Sequence, residues 1–143
     1  MKIMHVSLSV DEIPRSKAFY TRLFGQEPTF EREGYCKWML DDPRVNFSLV
    51  QQNCQPGVDH IGIQVESEEA LEDARNRIND AKLVAADQNH LTCGFQVQSK
   101  TWVYDPHGLP IEHFFTHGVS DTFGEFTEDA ENRVRAREAS MKS

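Results

Sequence analysis

The chain has 143 residues, of which 38% are hydrophobic, and a formal net charge of −8; this predicts about one domain with a substantial core and argues against a nucleic-acid partner, because phosphates need basic surfaces. No apolar run approaches the roughly 20 residues of a membrane span, and the N-terminal residues run into a strand pattern without a signal peptide. We therefore expect a cytoplasmic protein that has no membrane partner.

The first half of the chain predicts a strand, a helix and three further strands. Residues 3–10 alternate in polarity as half-buried strands do. The helix that follows is amphipathic, and Gly25 ends it. The predicted elements of this half are a strand at 3–10, a helix at 13–24, and strands at 28–32, 35–40 and 45–51.

The second half begins with another alternating strand, at 58–65, and another helix. Ser67 is a good N-cap, and residues 69–78 are strongly helical. The remaining predicted elements are a short strand at 82–86, a polar loop at 87–91, a hairpin of strands 93–98 and 100–104 around Gln98-Ser99, and a last strand at 110–116.

The two halves repeat the order β-α-β-β-β. An Asp-Pro turn precedes the final strand of each half, at Asp42-Pro43 and Asp105-Pro106, which supports the duplication independently. The repeat predicts an α+β domain over residues 1–117, with modules at about 1–52 and 57–117. Residues 118–143 have few apolar side chains and predict a polar, mobile extension with a weak helix near 132–139. A helix packed against a partner subunit is the alternative for this extension.

A histidine opens the first strand of each half. His5 and His60 each share a strand face with small or polar residues, while the opposite faces are aliphatic. In the last strand Glu112 alternates with Ile111 and His113, and it points into a polar cleft if the Ile111 side packs on a helix. Two histidines and one carboxylate are the ligand set of non-haem Fe(II) oxygenases.

The simpler alternative is that these histidines are ordinary core or surface residues. The repeat favours a metal site, because both histidines fall at the same place in the unit. The simpler interpretation is the one that we give to His90, His107, His113 and His117.

Three cysteines, Cys36, Cys54 and Cys93, cannot all pair, and no C-x-x-C motif occurs. Neither a disulfide framework nor a structural zinc knuckle is therefore expected. We expect free thiols in a reducing compartment.

Short motifs spread over residues 3–116 carry a family resemblance. They include Phe19-Tyr20-x-x-Leu23-Phe24-Gly25, His60-x-Gly62-x-Gln64-Val65, Thr92-Cys93 and Gln98-x-Lys100-x-Trp102-Val103-x-Asp105-Pro106-x-Gly108. With the duplicated pattern, these motifs resemble the vicinal oxygen chelate superfamily, which includes glyoxalase I, extradiol dioxygenases, fosfomycin-modifying enzymes and bleomycin-binding proteins. Within it, the chain resembles the branch of carbon–arsenic lyases and cadmium-induced proteins.

The resemblance implies two βαβββ modules that form an eight-stranded, cup-shaped mixed sheet with flanking helices. It also implies a divalent metal held by His5, His60 and Glu112. Fe(II) is the ion expected for the lyase branch, with Zn, Ni and Mn as alternatives. Asn46 stands near the place where glyoxalase I enzymes have a fourth, carboxylate ligand, which argues against a glyoxalase.

The resemblance further implies how a substrate is bound. Cys93 matches the first of two adjacent cysteines that capture a trivalent arsenical, and Gly94 replaces the second. Cys36 or Cys54 would have to supply a second thiolate, while a small buried hydrophobe is the alternative for Cys93. Lys100 is a candidate for binding a substrate anion, with a solvated surface lysine as its alternative.

The resemblance therefore implies a metal-dependent lyase or dioxygenase that acts on an organoarsenical or another thiol-reactive small molecule. A non-catalytic binding or resistance protein, similar to bleomycin-binding or cadmium-sequestering proteins, is the second hypothesis, because fold alone does not give function. A glutathione-dependent, glyoxalase-like enzyme is the third. A monomer and a homodimer are both compatible with the sequence.

Overall fold

The computed structural model describes residues 1–124 and 130–142, and it describes the backbone alone at residues 92–95, 119–124 and 130–132. Its helices and strands are, in order, β1 (Ile3–Val10), α1 (Ile13–Phe24), β2 (Phe30–Arg32), β3 (Tyr35–Asp41), β4 (Arg44–Gln51), β5 (Gly57–Gln64), α2 (Glu68–Asp80), β6 (Ala86–Tyr104), β7 (Pro110–Gly124) and α3 (Ala130–Lys142). None of these helices is long and apolar enough to cross a membrane.

The chain forms two compact units. The first unit is Ile3–Ile61, and the second unit is Gly62–Ser143 together with Met1–Lys2. Strand β5 begins in the first unit and ends in the second.

The first unit is a mixed sheet in the order β2-β3-β4-β1-β5. Strand β1 is parallel to β4, whereas β3 is antiparallel to both β4 and β2. The predicted alternation is observed, because one face of the sheet is polar and the other packs into a core. The core is formed by Val10, Cys36, Trp38 and Leu49, with α1 against it.

Helix α1 covers this core as its apolar periodicity predicts. Its Tyr20 and Phe24 rings lie 4.8 Å and 5.1 Å from the ring of Phe47 on β4. Gly25 ends the helix at φ +72°, a left-handed conformation that glycine adopts without steric cost. The predicted bounds of this helix are confirmed.

In the second unit, helix α2 begins where its cap predicts. The Ser67 hydroxyl accepts a hydrogen bond from the Ala70 backbone N–H at 3.0 Å. The apolar stripe of the helix, which consists of Leu71, Ala74 and Ile78, is buried. Such a cap contributes about 1 kcal/mol to helix stability.

Strand β6 corrects three sequence predictions. The segment predicted as a strand at 82–86 begins as a turn, with Lys82 at φ +58°, and the predicted loop at 87–91 is strand. The predicted turn at Gln98-Ser99 is wrong, because both residues pair with β7, opposite Thr116 and Phe115.

The β6 segment folds back on itself before that point. The Trp102 indole donates to Gln88 Oε1 at 3.0 Å, and the His90 backbone N–H donates to Ser99 Oγ at 2.9 Å. A fully extended strand would separate residues 88 and 102 by about 45 Å. The segment therefore supplies two strand arms, so the seven strand elements amount to eight strands, as predicted.

The C-terminal residues differ from the predicted mobile extension. Strand β7 continues to Gly124, and α3 packs on β6 of the same chain, where Ala136 is fully buried. The Arg133 guanidinium lies 4.0 Å from the centre of the Trp102 ring and donates to the Tyr104 hydroxyl at 2.8 Å. Aromatic side chains of β6 therefore hold this helix.

Candidate functional site

His5 lies on the polar face of β1 and is buried. The parallel register places it opposite Asn46 of β4, and its Nδ1 donates to the Asn46 backbone carbonyl at 3.0 Å. A carbonyl oxygen can only accept, so the proton of a neutral imidazole resides on Nδ1 and the lone pair on Nε2.

His60 on β5 has the same tautomer for a similar reason. Its Nδ1 donates to the carboxylate of Asp59 at 2.7 Å, and the Ser9 hydroxyl donates to the same carboxylate at 3.3 Å. Asp59 therefore fixes the ring of His60, a role that the sequence analysis missed. The adjacency of Asp59 and His60 in the sequence does not predict this contact, because neighbouring side chains of a strand normally point to opposite faces.

The two imidazoles meet within the first unit. The Nε2 atoms of His5 and His60 are 3.2 Å apart, and the ring centres are 5.1 Å apart. Since both Nδ1 atoms donate elsewhere, the Nε2 lone pairs of the neutral rings face each other. This arrangement is stabilised when a proton or a metal cation lies between the two nitrogens.

Lys37 adds a positive charge to the same face of the first unit. It pairs with Ser48 in the sheet register, two residues along β4 from Asn46, and it is 7% exposed. Burial lowers the pKa of this ammonium. The sequence contained a signal for this position, because Lys37 stands between the apolar residues Cys36 and Trp38 in a strand whose side chains alternate between two faces. The sequence analysis did not single it out.

In the second unit, Glu112 and Lys100 form a buried ion pair. The Lys100 Nζ atom lies 2.9 Å from Glu112 Oε2, and the two side chains are 1% and 3% exposed. The rings of Trp102 and Phe114 lie 5.3 Å and 5.7 Å from the same ammonium. The alternative of a solvated surface lysine is therefore wrong.

Gly62 leaves the room that Glu112 occupies. A Cβ atom at this position would lie 2.7 Å from Cγ of Glu112 and would also collide with the Glu112 backbone oxygen. Glycine in the interior of a strand often marks such a close approach. Gly62, which belongs to the sequence motif around His60, was therefore the sequence signal for this close approach.

The cysteines divide into different environments. Cys36 is fully buried in the core under α1, and burial, reinforced by the Glu31 carboxylate, raises the pKa of its thiol to about 11. It is therefore no source of a second thiolate, which corrects one sequence-based alternative. Cys54 is exposed. Cys93 falls among residues 92–95, so its side chain lies outside the described residues.

Three comparisons with known proteins identify relatives of this chain. The family model of the glyoxalase/bleomycin resistance protein/dioxygenase superfamily matches residues 2–113. A trivalent organoarsenical cleaving enzyme from Bacillus sp. (strain MD1) is 38% identical over 119 residues, which are 81% of this chain and 74% of that protein. The cadmium-induced protein CadI from Mycobacterium tuberculosis (strain ATCC 25618 / H37Rv) is 31% identical over 125 residues, which are 87% of this chain and 82% of that protein.

Solved structures share the fold. A Mn(II)-bound glyoxalase from Novosphingobium aromaticivorans has a TM-score of 0.60 at 19% identity and covers 81% of this chain, which spans 39% of that one. An extradiol ring-cleaving dioxygenase from B. fuscum has a TM-score of 0.62 at 18% identity and covers 82% of this chain, which spans 33% of that one. The predicted fold class is confirmed, and the chain belongs to the glyoxalase/bleomycin resistance protein/dioxygenase superfamily.

Proposed function

We propose that the chain is a divalent-metal-dependent lyase or dioxygenase of the cytoplasm that acts on trivalent organoarsenicals or other thiol-reactive small molecules. The observation that carries this proposal is the convergence of the His5 and His60 Nε2 atoms at 3.2 Å. Glu112 is the third ligand in the proposal, as the family resemblance implies.

The donor set fits a divalent ion. Two nitrogen ligands about 2.1 Å from one ion and at roughly a right angle to each other are about 3.0 Å apart, close to the separation between His5 and His60. Each imidazole has an acceptor on its far nitrogen, as metal-binding histidines almost always do. Two imidazoles and one carboxylate are the set that non-haem Fe(II) enzymes use, so we propose Fe(II), with Mn, Zn and Ni as the ions to compare.

The protein's own residues have separate roles in this proposal. Asp59 and the Asn46 carbonyl hold the two imidazoles in the tautomer that leaves Nε2 as a donor to the ion. Lys100 holds the carboxylate of Glu112 in one orientation. A bound Fe(II) would supply open coordination positions and redox chemistry.

One side chain is proposed to bind the substrate, and a second is proposed to position a ligand. Cys93 would bind a trivalent arsenical through its sulfur, because it matches the first cysteine of the lyase motif and because relatives at 29–38% identity are named trivalent organoarsenical cleaving enzymes. Lys100 was predicted to bind a substrate anion, and its pairing with Glu112 makes a positioning role the better proposal.

The test is a single-turnover assay under controlled oxygen. The chain is loaded anaerobically with Fe(II), offered methylarsenite or phenylarsenite, and then exposed to oxygen. We expect arsenite release and oxygen uptake from the wild type and from His107→Ala, which changes an exposed histidine, but not from His60→Ala. Absence of both signals in the wild type with each of the four metals would refute the enzyme.

A sequestering protein is the second candidate, and the names of several relatives favour it. With Gly94 in place of a second cysteine and Cys36 withdrawn into the core, trivalent arsenic has fewer thiolates to bind. Relatives at 31% identity are named cadmium-induced proteins. Protection that saturates at one equivalent of arsenical or Cd²⁺, without turnover, would favour this candidate. Turnover of the methylglyoxal–glutathione adduct would favour the glyoxalase-like alternative.

A further inference from the structure

We propose that Glu68, His90 and His117 form a second divalent-cation site, separate from the site at His5 and His60. All three residues belong to the second unit, with Glu68 at the start of α2, His90 on β6 and His117 on β7. Glu68 Oε1 lies 3.4 Å from His117 Nδ1 and 3.7 Å from His90 Nε2. Each residue offers one ligand atom, and these atoms lie within 4.8 Å of one another.

These spacings suit an ion better than direct hydrogen bonds. A charge-assisted N–H to carboxylate bond is about 2.7–2.9 Å long, and both contacts of Glu68 are longer. Two ligands about 2.1 Å from a tetrahedral ion are about 3.4 Å apart. The two contacts of the Glu68 carboxylate are therefore closer to the separations at a shared cation than to those of direct hydrogen bonds.

A buried hydroxyl prepares His117 for this role. Ser99 Oγ, 4% exposed, lies 2.8 Å from His117 Nε2 and accepts the backbone N–H of His90. The tautomer of His117 with its proton on Nε2 donates to Ser99 and directs the Nδ1 lone pair at the Glu68 carboxylate, and a cation between the two stabilises that tautomer. Metal-binding histidines almost always have such a hydrogen-bond partner on the ring nitrogen that does not bind the metal.

The backbone brings both rings to this point by irregular conformations. Gly118 pairs with Val97 and Thr116 with Gln98, so His117 is the extra residue of a β-bulge, a device that re-aims side chains. His90 has φ +51°, which is uncommon for a residue other than glycine. The two imidazoles stack with centres 4.0 Å apart.

The ligand chemistry selects a borderline transition metal such as Zn²⁺, Co²⁺, Ni²⁺ or Cu²⁺, because neutral imidazoles suit these ions. Glu68 and His90 are 62% and 65% exposed, so water can complete the coordination. This site uses none of the residues in the proposed function, and the two can fail independently.

The test is equilibrium dialysis of the full chain against Zn²⁺ at pH 7.5, with metal counted by elemental analysis. We expect His90→Ala and Glu68→Gln each to lose one equivalent, whereas His107→Ala, an exposed histidine outside the cluster, loses none. His60→Ala should keep the equivalent that His90→Ala removes. With Co²⁺, the wild type should show visible absorption bands that decrease in His90→Ala.

Because His90 and Glu68 are exposed, their variants should fold normally, and circular dichroism verifies this. Equal Zn²⁺ stoichiometry in the wild type and in His90→Ala would overturn the proposal. The proposal would also be overturned if the wild type bound this equivalent of Zn²⁺ only at millimolar concentrations of the metal.

Discussion

Replacing Lys100 with methionine tests the buried ion pair with Glu112. The substitution keeps the length of the side chain but leaves the Glu112 carboxylate, 3% exposed, without the ammonium that lies 2.9 Å away. Removing one partner of a buried ion pair costs about 3–5 kcal/mol. For a chain of this size, about 3–4 °C per kcal/mol predicts a fall in Tm of roughly 10–18 °C.

Urea denaturation of four chains tests the ion pair. Lys100→Met should unfold at a much lower urea concentration, and Lys100→Met combined with Glu112→Leu should recover most of the loss, because an apolar pair of similar volume replaces the charges. Lys142→Met, on the exposed side of α3, is the matched control and should change stability by less than about 0.5 kcal/mol. A cost below about 1 kcal/mol for Lys100→Met would refute the reasoning.

The same variant connects stability to the proposed metal. If Glu112 is a ligand, a divalent ion supplies the positive charge that Lys100→Met removes. Saturating Mn²⁺, an air-stable probe, should therefore raise the Tm of Lys100→Met more than that of the wild type. An equal rise in both chains would argue against Glu112 as the third ligand.

Three further predictions follow from local contacts. Gly62→Ala should destabilise the chain by about 1–3 kcal/mol in urea denaturation through overpacking against Glu112. Gly118→Ala is the control, because its Cβ meets nothing within 4 Å, and equal stability of the two variants would contradict the prediction. Asp59→Asn should weaken metal binding at least about 10-fold in competition dialysis, because Asp59 orients a proposed ligand, and unchanged affinity would contradict this. Iodoacetamide at pH 8 should label Cys54 but not Cys36, as mass spectrometry can verify. Because the pKa of Cys36 is about 11 when folded against an ordinary 9.0, the unfolded chain loses this proton first. Stability should therefore fall between these pH values, and a Cys36→Ala chain should lack that part of the fall.

Local patterns predicted much of the fold. The alternation of β1 and β4 identified a polar face and a core face, because strand side chains alternate with a period of two residues. The cap at Ser67 located the start of α2, because its hydroxyl satisfies a backbone N–H within the next turn. These signals are contained within a few residues, so no distant part of the chain is needed to interpret them.

The predictions failed where burial depends on distant partners. Gln88, Gln98 and Ser99 look like loop or turn residues, yet all three are buried with hydrogen bonds to other side chains or backbone groups. The ion pair of Lys100 was missed for the same reason, because its partner lies twelve residues away on the paired strand. A polar residue in a sequence does not reveal whether the fold satisfies it.

The candidate site was likewise predicted where its signals are local in the sequence and missed where they depend on distant partners. The repeat predicted His5 and His60 as equivalent positions, and the structure brings their rings together. Sequence could not identify the acceptors that set their tautomers, since one is a backbone carbonyl of another strand. His90 and His117 were interpreted as ordinary core or surface residues, and the sequence could not correct this because the bulge that turns His117 is a property of strand pairing.

The two histidine pairs use one device in different surroundings. His5, His60 and His117 each have a hydrogen-bond partner on the far ring nitrogen, but His5 is buried whereas His90 is 65% exposed. Burial of fixed ligands favours the ion whose geometry they match, while an open site keeps water ligands and follows the general affinity order of the first-row metals. Cu²⁺ should therefore bind at Glu68, His90 and His117 more tightly than Zn²⁺, and Zn²⁺ more tightly than Mn²⁺. Competition dialysis of the His60→Ala chain measures that order, and tighter binding of Mn²⁺ than of Zn²⁺ would mean that carboxylates and not imidazoles hold the second ion.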